Sequence, residues 1–558
     1  MVNMPLTRRE FAALTAGGIL SSQWLVKPSA YAEAKATSPD SQPAETTRSV
    51  TLLHFTDTHA QLETHWDYLP GQLPAFQQMG GFARLKTAID REIKASQGPV
   101  FVADGGDEFQ GSGPAAWSRG EVILDPLNAL GADVFVPGNW EPVYGPARFR
   151  ELMSRLKAQV TCFNFHEKST GHRIFPPASI IEKDGCRIAF VGLTDLKASD
   201  RHSPDEFAGL DTSRLNGLSE FLNDLKSKER VTLIVGLFHT GLTVARYLAR
   251  EFPKFDIILS GHTHERTTQS IIEGKTIIVE SAGMGSFLGR LDVELNAGNE
   301  IVAHRFRLIE VSAANTPENP VVKQLVDENL KPYRERANTV VGRTVTPIMR
   351  YDVLETSADD FITDALRDET NVDIAFSNGF RFGLPIPAGN ITVGDLWNLL
   401  PMDARIKVGW VTGRQLKDYL ENELELVYSP DPKRLSGGWG PRASGMMMRY
   451  SMRAGQGKRV QEVHVGGKIL DETERYTVAS CERSGEPLDV ICRIRGVHDV
   501  TFAPQTIHQA LITYFQKHPV ISPSREGRAY ADDLAPVVFS QDSILSEGQR
   551  GSYQAWGM

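Results

Sequence analysis

A series of short apolar runs, each ending in Gly, Asp, Asn or His, constrains the fold of this chain more than any other feature. The runs are VTLLHFTD, PVFVADGGD, ADVFVPGN, QVTCFNF, CRIAFVGLTD, VTLIVGLFH, FDIILSGHTH and TIIVESAG, and helical patterns such as GGFARLKTAIDREIKAS separate several of them. Apolar strands that alternate with helices predict a layered α/β domain whose sheets are covered on both faces. The polar residues at the strand ends are expected at one edge, where such folds place their functional sites.

The length of 558 residues predicts two domains, because it exceeds what one ordinary core accommodates. We place the first α/β domain at 49–310, a linker helix within 311–340 and a second α/β domain at 341–545. A composition of 41% hydrophobic and 23% charged residues is typical of a soluble globular protein. The net charge of −9 argues against nucleic acid or an anionic membrane as a partner.

The N-terminus has the pattern of an export signal. Arg8-Arg9 precedes a short, weakly apolar run and then Ala30-Tyr31-Ala32, an A-x-A cleavage pattern. Paired arginines before such a run favour twin-arginine export, and an ordinary secretory signal is the alternative. We therefore expect residues 1–32 to be a signal peptide, 33–48 a flexible lead-in, and the mature protein to be periplasmic, without stable membrane insertion.

The cysteines fall into two loose pairs, Cys162 with Cys186 and Cys481 with Cys492. An oxidising periplasm would permit a disulfide within each pair, and buried free thiols are the alternative. Since the chain has no C-x-x-C motif, metal or redox roles are not expected of them.

The candidate metal ligands share a position at strand ends of the first domain. They are Asp57, His59, Asp107, Asn139, His239, His262 and His264. Singly, each has an ordinary structural explanation, but together they supply the imidazoles, carboxylates and amide oxygen that suit manganese, iron or zinc. We expect two divalent ions with Asp107 as the bridge, manganese first and zinc or iron as the alternatives. Such a pair would activate water and stabilise an anionic centre under attack.

This set of segments resembles the calcineurin-like metallophosphoesterases, and the two-domain layout resembles the 5′-nucleotidase family among them. The resemblance runs from about residue 50 to about residue 540 and implies a four-layer αββα catalytic domain followed by a substrate-binding α/β domain. It implies that Asp57, His59 and His264 hold one ion. It further implies that Asn139, His239 and His262 hold the other.

The stretch Gly138-Asn139-Trp140-Glu141 departs from the nucleotidase pattern, which has G-N-H-[DE]. In the family, that His contacts the transferring phosphoryl group or the leaving group, whereas an indole offers only an N–H donor. The SoxB-type thiosulfohydrolase branch has Trp-Glu here, with Tyr-Gly shortly after, and this chain has Tyr144-Gly145. That branch has His where this chain retains Asn139, so the sequence mixes the two patterns. The expected catalytic residues are Asp57, Asp107, Asn139, Glu141 and Arg381, and Trp140 is expected to contact the substrate.

The second domain also contributes expected substrate contacts. Asn378 and Arg381 lie in SNGFR, which resembles the family's substrate-binding stretch, and a guanidinium suits phosphate or sulfonate oxygens. Trp439, in the glycine-rich loop SGGWGPRASG, is a candidate lid or stacking residue. Phe380 and Phe382 are expected to pack rather than to clamp a base.

The sequence therefore favours a dinuclear hydrolase of the SoxB type, which releases sulfate from a cysteine S-thiosulfonate on a carrier protein. A persulfide leaves without protonation, which would explain the absent acid at Trp140. A 5′-nucleotidase or related phosphoesterase acting on nucleotides is the alternative. A metal-retaining binding protein without catalysis is disfavoured, because the ligand set is complete.

Overall fold

The computed structural model describes residues 47–69, 75–351, 353–377, 380, 382–435 and 440–533, which belong to one compact unit. The chain forms α/β layers, so the expected fold class is confirmed. Within the described part of the chain, no helix combines the length and apolar character that crossing a membrane requires. Several sequence predictions fall outside the described residues: the signal peptide of residues 1–32, most of the lead-in of residues 33–48, the substrate contacts Asn378 and Arg381, and the lid or stacking residue Trp439.

The first half contains two six-stranded sheets. The strand order of the first sheet is Ile301–Glu310, Phe287–Leu295, Arg48–Phe55, Val100–Asp104, Val134–Phe135 and Gln159–Val160. The strand order of the second sheet is Ile271–Glu273, Thr276–Glu280, Ile257–Ser260, Leu233–His239, Cys186–Thr194 and Ala178–Lys183. Within each sheet, the strands that precede the candidate ligands run parallel to one another, and their C-terminal ends therefore lie at the same edge.

Side chains that alternate along the strand Cys186–Thr194 face two different cores, which places the second sheet between the first sheet and a layer of helices. Ile188 and Phe190 belong to the large core that also contains the first sheet, whereas Ala189 and Val191 pack against helices on the outer face. The helices of this half are Phe82–Ala95, Gly113–Ser118, Leu124–Leu130, Pro146–Ser154, Ala198–Arg201, Leu218–Ser227 and Leu242–Glu251, with 3-10 turns at Glu121–Ile123 and Glu141–Tyr144. Two short ribbons pair His65–Leu69 with Ala75–Met79 and His166–Glu167 with Leu210–Asp211.

The linker segment is helical. The helix Pro320–Leu330 begins after Asn319, whose side chain accepts the N–H groups of Val321 and Val322, and proline at the first position suits this start. Val326 and Leu330 bury their side chains against the core of the first half. The short segments Lys331–Tyr333 and Arg334–Ala337 then lead into the second half.

The second half is built on a five-stranded mixed sheet. Its order is Arg442–Ser444, Ile374–Ser377, Arg475–Cys481, Arg405–Thr412 and His498–Thr506. A three-stranded sheet (Gly389–Thr392, Val340–Thr344, Val520–Ile521) and a four-stranded sheet (Lys468–Ile469, Val460–Val465, Met446–Tyr450, Ala529–Ala531) accompany it. The helices are Ser357–Thr370, Val393–Leu399, Gly413–Tyr428 and Ile507–Lys517.

Of the two states left open for the cysteines, the structure has free, buried thiols. Cys481 and Cys492 lie with their Sγ atoms 3.0 Å apart, and the Cys162 thiol donates to Asn164 Oδ1 at 3.3 Å.

Candidate metal centre

Six of the expected ligands meet in two groups at the edge of the sheets. Asp57, His59 and His264 form one group, and Asp107, His239 and His262 form the other. Within each group the potential ligand atoms all lie within 4.8 Å of one another. Asn139 lies beside the second group, with its Oδ1 3.2 Å from His239 Nε2. The structure thus brings together all the residues expected to bind metal, although their binding of ions stays a prediction.

The turns that carry these ligands have an unusual backbone conformation. Residues other than glycine seldom adopt positive φ, and each such residue costs about 1–3 kcal/mol. The ligands with positive φ are Asp57 (53°), His59 (48°), Asp107 (60°), His262 (86°) and His264 (57°). Strain concentrated in this way is typical of functional sites, because the surrounding fold holds the side chains in one arrangement.

The hydrogen bonds of two histidines direct their free nitrogens into the centre. His59 Nδ1 lies 2.9 Å from the carbonyl of Gln110, and His239 Nδ1 lies 2.6 Å from that of Gly105. A carbonyl only accepts, so each Nδ1 carries the hydrogen and each Nε2 presents a lone pair. His59 Nε2 faces His264 Nε2 at 3.1 Å. Either a hydrogen on His264 Nε2 or a cation between the two nitrogens satisfies this contact, and two imidazoles beside the Asp57 carboxylate are a donor set that fits a metal ion.

The carboxylates around His239 favour a positive charge beside its Nε2 atom. Burial lowers the pKa of His239, but the nearby carboxylates of Asp107 and Asp57 outweigh this effect and raise the pKa to about 10. His239 Nε2 lies 3.0 Å from Asp107 Oδ2 and 3.8 Å from Asp57 Oδ1. A divalent ion would displace the proton and take over this stabilisation. For His59, burial and His264 lower the pKa to about 4, which keeps that imidazole neutral and able to bind metal.

Each carboxylate turns one oxygen toward the centre and uses the other to fix its position. Asp57 Oδ2 accepts the Thr56 hydroxyl at 2.6 Å and the His262 N–H at 2.9 Å, while its Oδ1 lies 3.1 Å from His264 Nε2. Asp107 Oδ1 accepts the backbone N–H of Trp140 at 2.8 Å. Asp107 therefore has Oδ2 for the ions, and its expected bridging role stays a prediction.

Trp140 and Glu141 lie on different sides of the ligands. The Trp140 ring lines the pocket and contacts Phe382 and His202, with ring centroids 5.8 Å and 4.5 Å away. The buried Glu141 carboxylate accepts the backbone N–H groups of Gly138 at 2.6 Å, Glu108 at 2.7 Å and Asp107 at 3.2 Å. Glu141 thus braces the two ligand turns from behind, and direct participation in the chemistry stays a prediction.

The second half of the chain forms the opposite wall of the pocket. Phe382 stacks on His59 with ring centroids 4.0 Å apart and planes inclined by 10°. Phe380 and Phe382 both contact Trp140, so they pack together as expected. Sequence reasoning missed the other residues of this wall and of the adjoining loop. They include His202, Glu206, Met402, Cys481, Arg483 and Arg493. Of these, His202 and Glu206 lie just beyond a short helix rather than at a strand end, and no motif marked them.

Comparisons with known proteins agree with this architecture. Residues 50–266 match the calcineurin-like phosphoesterase family, and residues 340–482 match the 5′-nucleotidase C-terminal domain. The first half, with its two groups of ligands, is therefore a calcineurin-like phosphoesterase domain, the class of domain that binds a dinuclear divalent metal centre. With both domains present in this order, the chain belongs to the metallophosphoesterase and 5′-nucleotidase family of hydrolases.

The similar proteins include both nucleotide hydrolases and a sulfur enzyme. The 5′-nucleotidase of Vibrio cholerae is 26% identical over 517 residues, covering 81% of this chain and 87% of that protein. The trifunctional nucleotide phosphoesterase YfkN of Bacillus subtilis is 25% identical over 77% of this chain, which spans only 31% of that longer protein. Among solved structures, the Thermus thermophilus sulfate thiohydrolase SoxB has a TM-score of 0.79 at 24% identity, over 89% of this chain and 98% of that one. A 5′-nucleotidase precursor from the same organism has a TM-score of 0.77 at 21% identity, over 87% and 100%. The structural likenesses show the fold and do not separate the two activities.

Proposed function

We propose that this protein is a two-metal hydrolase that releases phosphate from nucleotide-type phosphoester and phosphoanhydride substrates. The observation that carries the proposal is the convergence of two ligand groups and Asn139 beside a pocket that both domains line. Asp57, His59 and His264 would hold one ion, and Asn139, His239 and His262 the other, with Asp107 between them. When bound, the ions would supply Lewis-acid activation of water and charge stabilisation at the phosphorus under attack. The sequence relatives named as 5′-nucleotidases support a nucleotide substrate.

The residues around Trp140 indicate which leaving groups the site would favour. Trp140 is only 6% exposed, and its indole cannot deliver a proton at neutral pH. The Glu141 carboxylate is occupied by three backbone donors behind the ligands. Substrates whose leaving group departs as an anion, such as phosphoanhydrides and aryl phosphates, are therefore favoured over alkyl monoesters such as AMP.

A second candidate function rests on the same tryptophan. The Trp140-Glu141 pair, followed by Tyr144-Gly145, resembles the SoxB-type branch. In that chemistry, water attacks the sulfonate sulfur of a cysteine S-thiosulfonate, sulfate is released, and a persulfide remains on the carrier. The persulfide leaves as an anion, so this reaction also proceeds without a proton donor at Trp140. The partner would then be a carrier protein with a substrate-bearing cysteine.

One parallel assay separates the two functions. Purified protein loaded with manganese, and in separate arms with zinc or iron, is given AMP, ADP, p-nitrophenyl phosphate and a cysteine S-thiosulfonate on a carrier protein. Phosphate release from ADP and the aryl ester, with little from AMP and no sulfate release, is the expected result. Sulfate release from the carrier at a much higher kcat/KM than any phosphoester would replace the first function by the second. No hydrolysis in any arm would contradict both.

We also propose that the protein acts in the periplasm after twin-arginine export, as the Arg8-Arg9 pair indicates. A fusion of residues 1–48 to a reporter that is active only after folded export tests this. The fusion should lose export when both arginines are replaced by lysine. Periplasmic reporter that is inactive already in the unaltered fusion would instead indicate an ordinary secretory route, and activity that persists in the double variant would refute a role for the arginine pair.

A further inference from the structure

Two side chains, His202 and Glu206, hold the amide of Asn139 through a chain of hydrogen bonds, and no sequence motif indicated them. Asn139 Nδ2 lies 2.9 Å from His202 Nε2, and His202 Nδ1 lies 3.0 Å from Glu206 Oε2. Asn139 is 3% exposed and His202 is 4% exposed, so water does not compete freely for these hydrogen bonds. Asn139, His202 and Glu206 therefore form a chain of hydrogen bonds beside the candidate metal centre, called the relay below.

The hydrogen bonds of the relay are consistent with only one orientation of the amide. Asn139 Oδ1 faces His239 Nε2 at 3.2 Å, on the side of the ligands. Asn139 Nδ2 can only donate, so His202 Nε2 accepts, and His202 Nδ1 carries the hydrogen that Glu206 accepts. With neutral His202 carrying its hydrogen on Nδ1, a rotated amide would turn its NH₂ group toward the proposed ion and its oxygen toward the Nε2 lone pair, which is unfavourable at both ends.

Both domains hold the relay in place. The Trp140 ring meets the His202 ring edge-on at 83°, and the Ser203 N–H donates to Glu206 Oε2 at 3.3 Å. From the second domain, Arg483 donates to the carbonyl of Asp200 at 3.1 Å and to the carbonyl of His202. Contacts from both domains therefore hold the imidazole, and its position depends on the contact between the domains.

We propose that His202 and Glu206 are positioning residues that aim the Asn139 oxygen at the ion held by His239 and His262. This inference rests on the two-metal part of the proposed function and not on the identity of the substrate. Groups that orient metal ligands in this way typically contribute 10–100-fold to metal affinity. The expected loss therefore falls on one of the two ions.

Metal binding to the purified protein tests the proposal without any substrate. The variants are His202→Ala, His202→Gln, whose side-chain oxygen can still accept from Asn139, and Glu206→Ala. Manganese affinity is measured by titration calorimetry against a chelator, and bound metal by elemental analysis after gel filtration. His202→Ala should weaken one site by about 10–100-fold and leave the other unchanged. His202→Gln should recover most of the affinity, and Glu206→Ala should lie between wild type and His202→Ala.

His166→Gln is the matched control, because this buried imidazole bonds to the carbonyl of Asn164 at 3.0 Å and is absent from the pocket lining. Its affinity for both ions should equal that of the wild type. If His202→Ala and His202→Gln both keep two ions at wild-type affinity, the relay has no positioning role. If His202→Ala fails to fold, Glu206→Ala decides, and wild-type affinity for both ions in Glu206→Ala would refute the positioning role. Wild-type protein that binds fewer than two ions would instead refute the two-metal function itself.

Discussion

Replacing Trp140 by histidine tests whether the residue after Asn139 selects the leaving group. The backbone hydrogen bond from Trp140 to Asp107 does not depend on the side chain, so the ligand turn should survive the substitution. The introduced imidazole would occupy the position of the histidine in the nucleotidase pattern G-N-H-[DE]. We expect Trp140→His to raise the rate with AMP, because a proton donor then becomes available to an alkoxide leaving group.

The structure allows the size of this gain to be estimated. General acid catalysis is typically worth ~10²–10⁴-fold, and the upper end requires a partner that orients the acid. Glu141 cannot serve as that partner, since its carboxylate accepts three backbone N–H groups behind the ligands. We therefore expect the lower end, about 100-fold in kcat/KM or about 2.7 kcal/mol. The smaller ring also loses packing against Phe382, and the free energy of unfolding should fall by about 2 kcal/mol, less than for full truncation.

The assay compares AMP with p-nitrophenyl phosphate, whose leaving group departs without protonation. Trp140→His should change the ratio of the two kcat/KM values about 100-fold in favour of AMP while leaving the aryl ester rate nearly constant. If the wild type acts on the thiosulfonated carrier, that activity should fall, because the pocket wall is unpacked. Trp140→Phe is the control, because it keeps an aromatic wall and supplies no proton donor, so its ratio should match the wild type. If the wild type already cleaves AMP efficiently and Trp140→His leaves the ratio unchanged, Trp140 is ordinary packing and the leaving-group reasoning is refuted.

Three further predictions concern other parts of the chain. Asp107→Ala should lose at least one bound ion, and elemental analysis that still finds two ions would refute its bridging role. Arg381→Lys keeps the charge but loses the two-pronged contact, so catalysis should fall by about 1–3 kcal/mol, mainly through KM; unaltered kinetics would indicate a structural ion pair. Burial raises the pKa of Asp360 to about 9, because Arg528 offsets only part of the effect and Glu355 adds to it. The folded state therefore holds a proton that the unfolded state lacks between about pH 4 and pH 9, and stability falls as pH rises through this window. Asp360→Asn should accordingly raise the melting temperature more at pH 8 than at pH 5, and an equal effect at both would contradict this.

The layered fold and the convergence of the candidate ligands were predictable from sequence for the same physical reason. Parallel strands end at a common edge, so polar residues placed directly after buried runs must come together even when far apart in sequence. Asp57 and His264 are separated by most of the first domain, yet Asp57 Oδ1 lies 3.1 Å from His264 Nε2. The linker helix was visible for a local reason, since Asn319 and Pro320 form a helix start that sequence alone displays.

The surroundings of the ligands could not be predicted in the same way. His202 reaches Asn139 because residues 198–206 fold over the ligand turn, and Arg483 reaches the same segment from the second domain. Neither contact follows from periodicity or strand ends, because both depend on how loops of separate elements pack. The position of Glu141 behind the ligands likewise depends on three backbone N–H groups that converge only in the folded chain.

Trp140 and His202 together suggest why a complete ligand set can coexist with an altered residue after Asn139. The indole fills the wall between the ligands and Phe382, and its edge-on contact fixes the imidazole that holds the Asn139 amide. The tryptophan thus has a supporting role in the metal centre that is separate from any effect on the leaving group. The two roles predict different effects of Trp140→His. Loss of the contact that holds His202 should lower manganese affinity at one site, whereas the introduced proton donor should raise the AMP rate at saturating metal. Measuring both quantities in that variant and in Trp140→Phe therefore distinguishes a residue that selects the substrate from one that maintains the site.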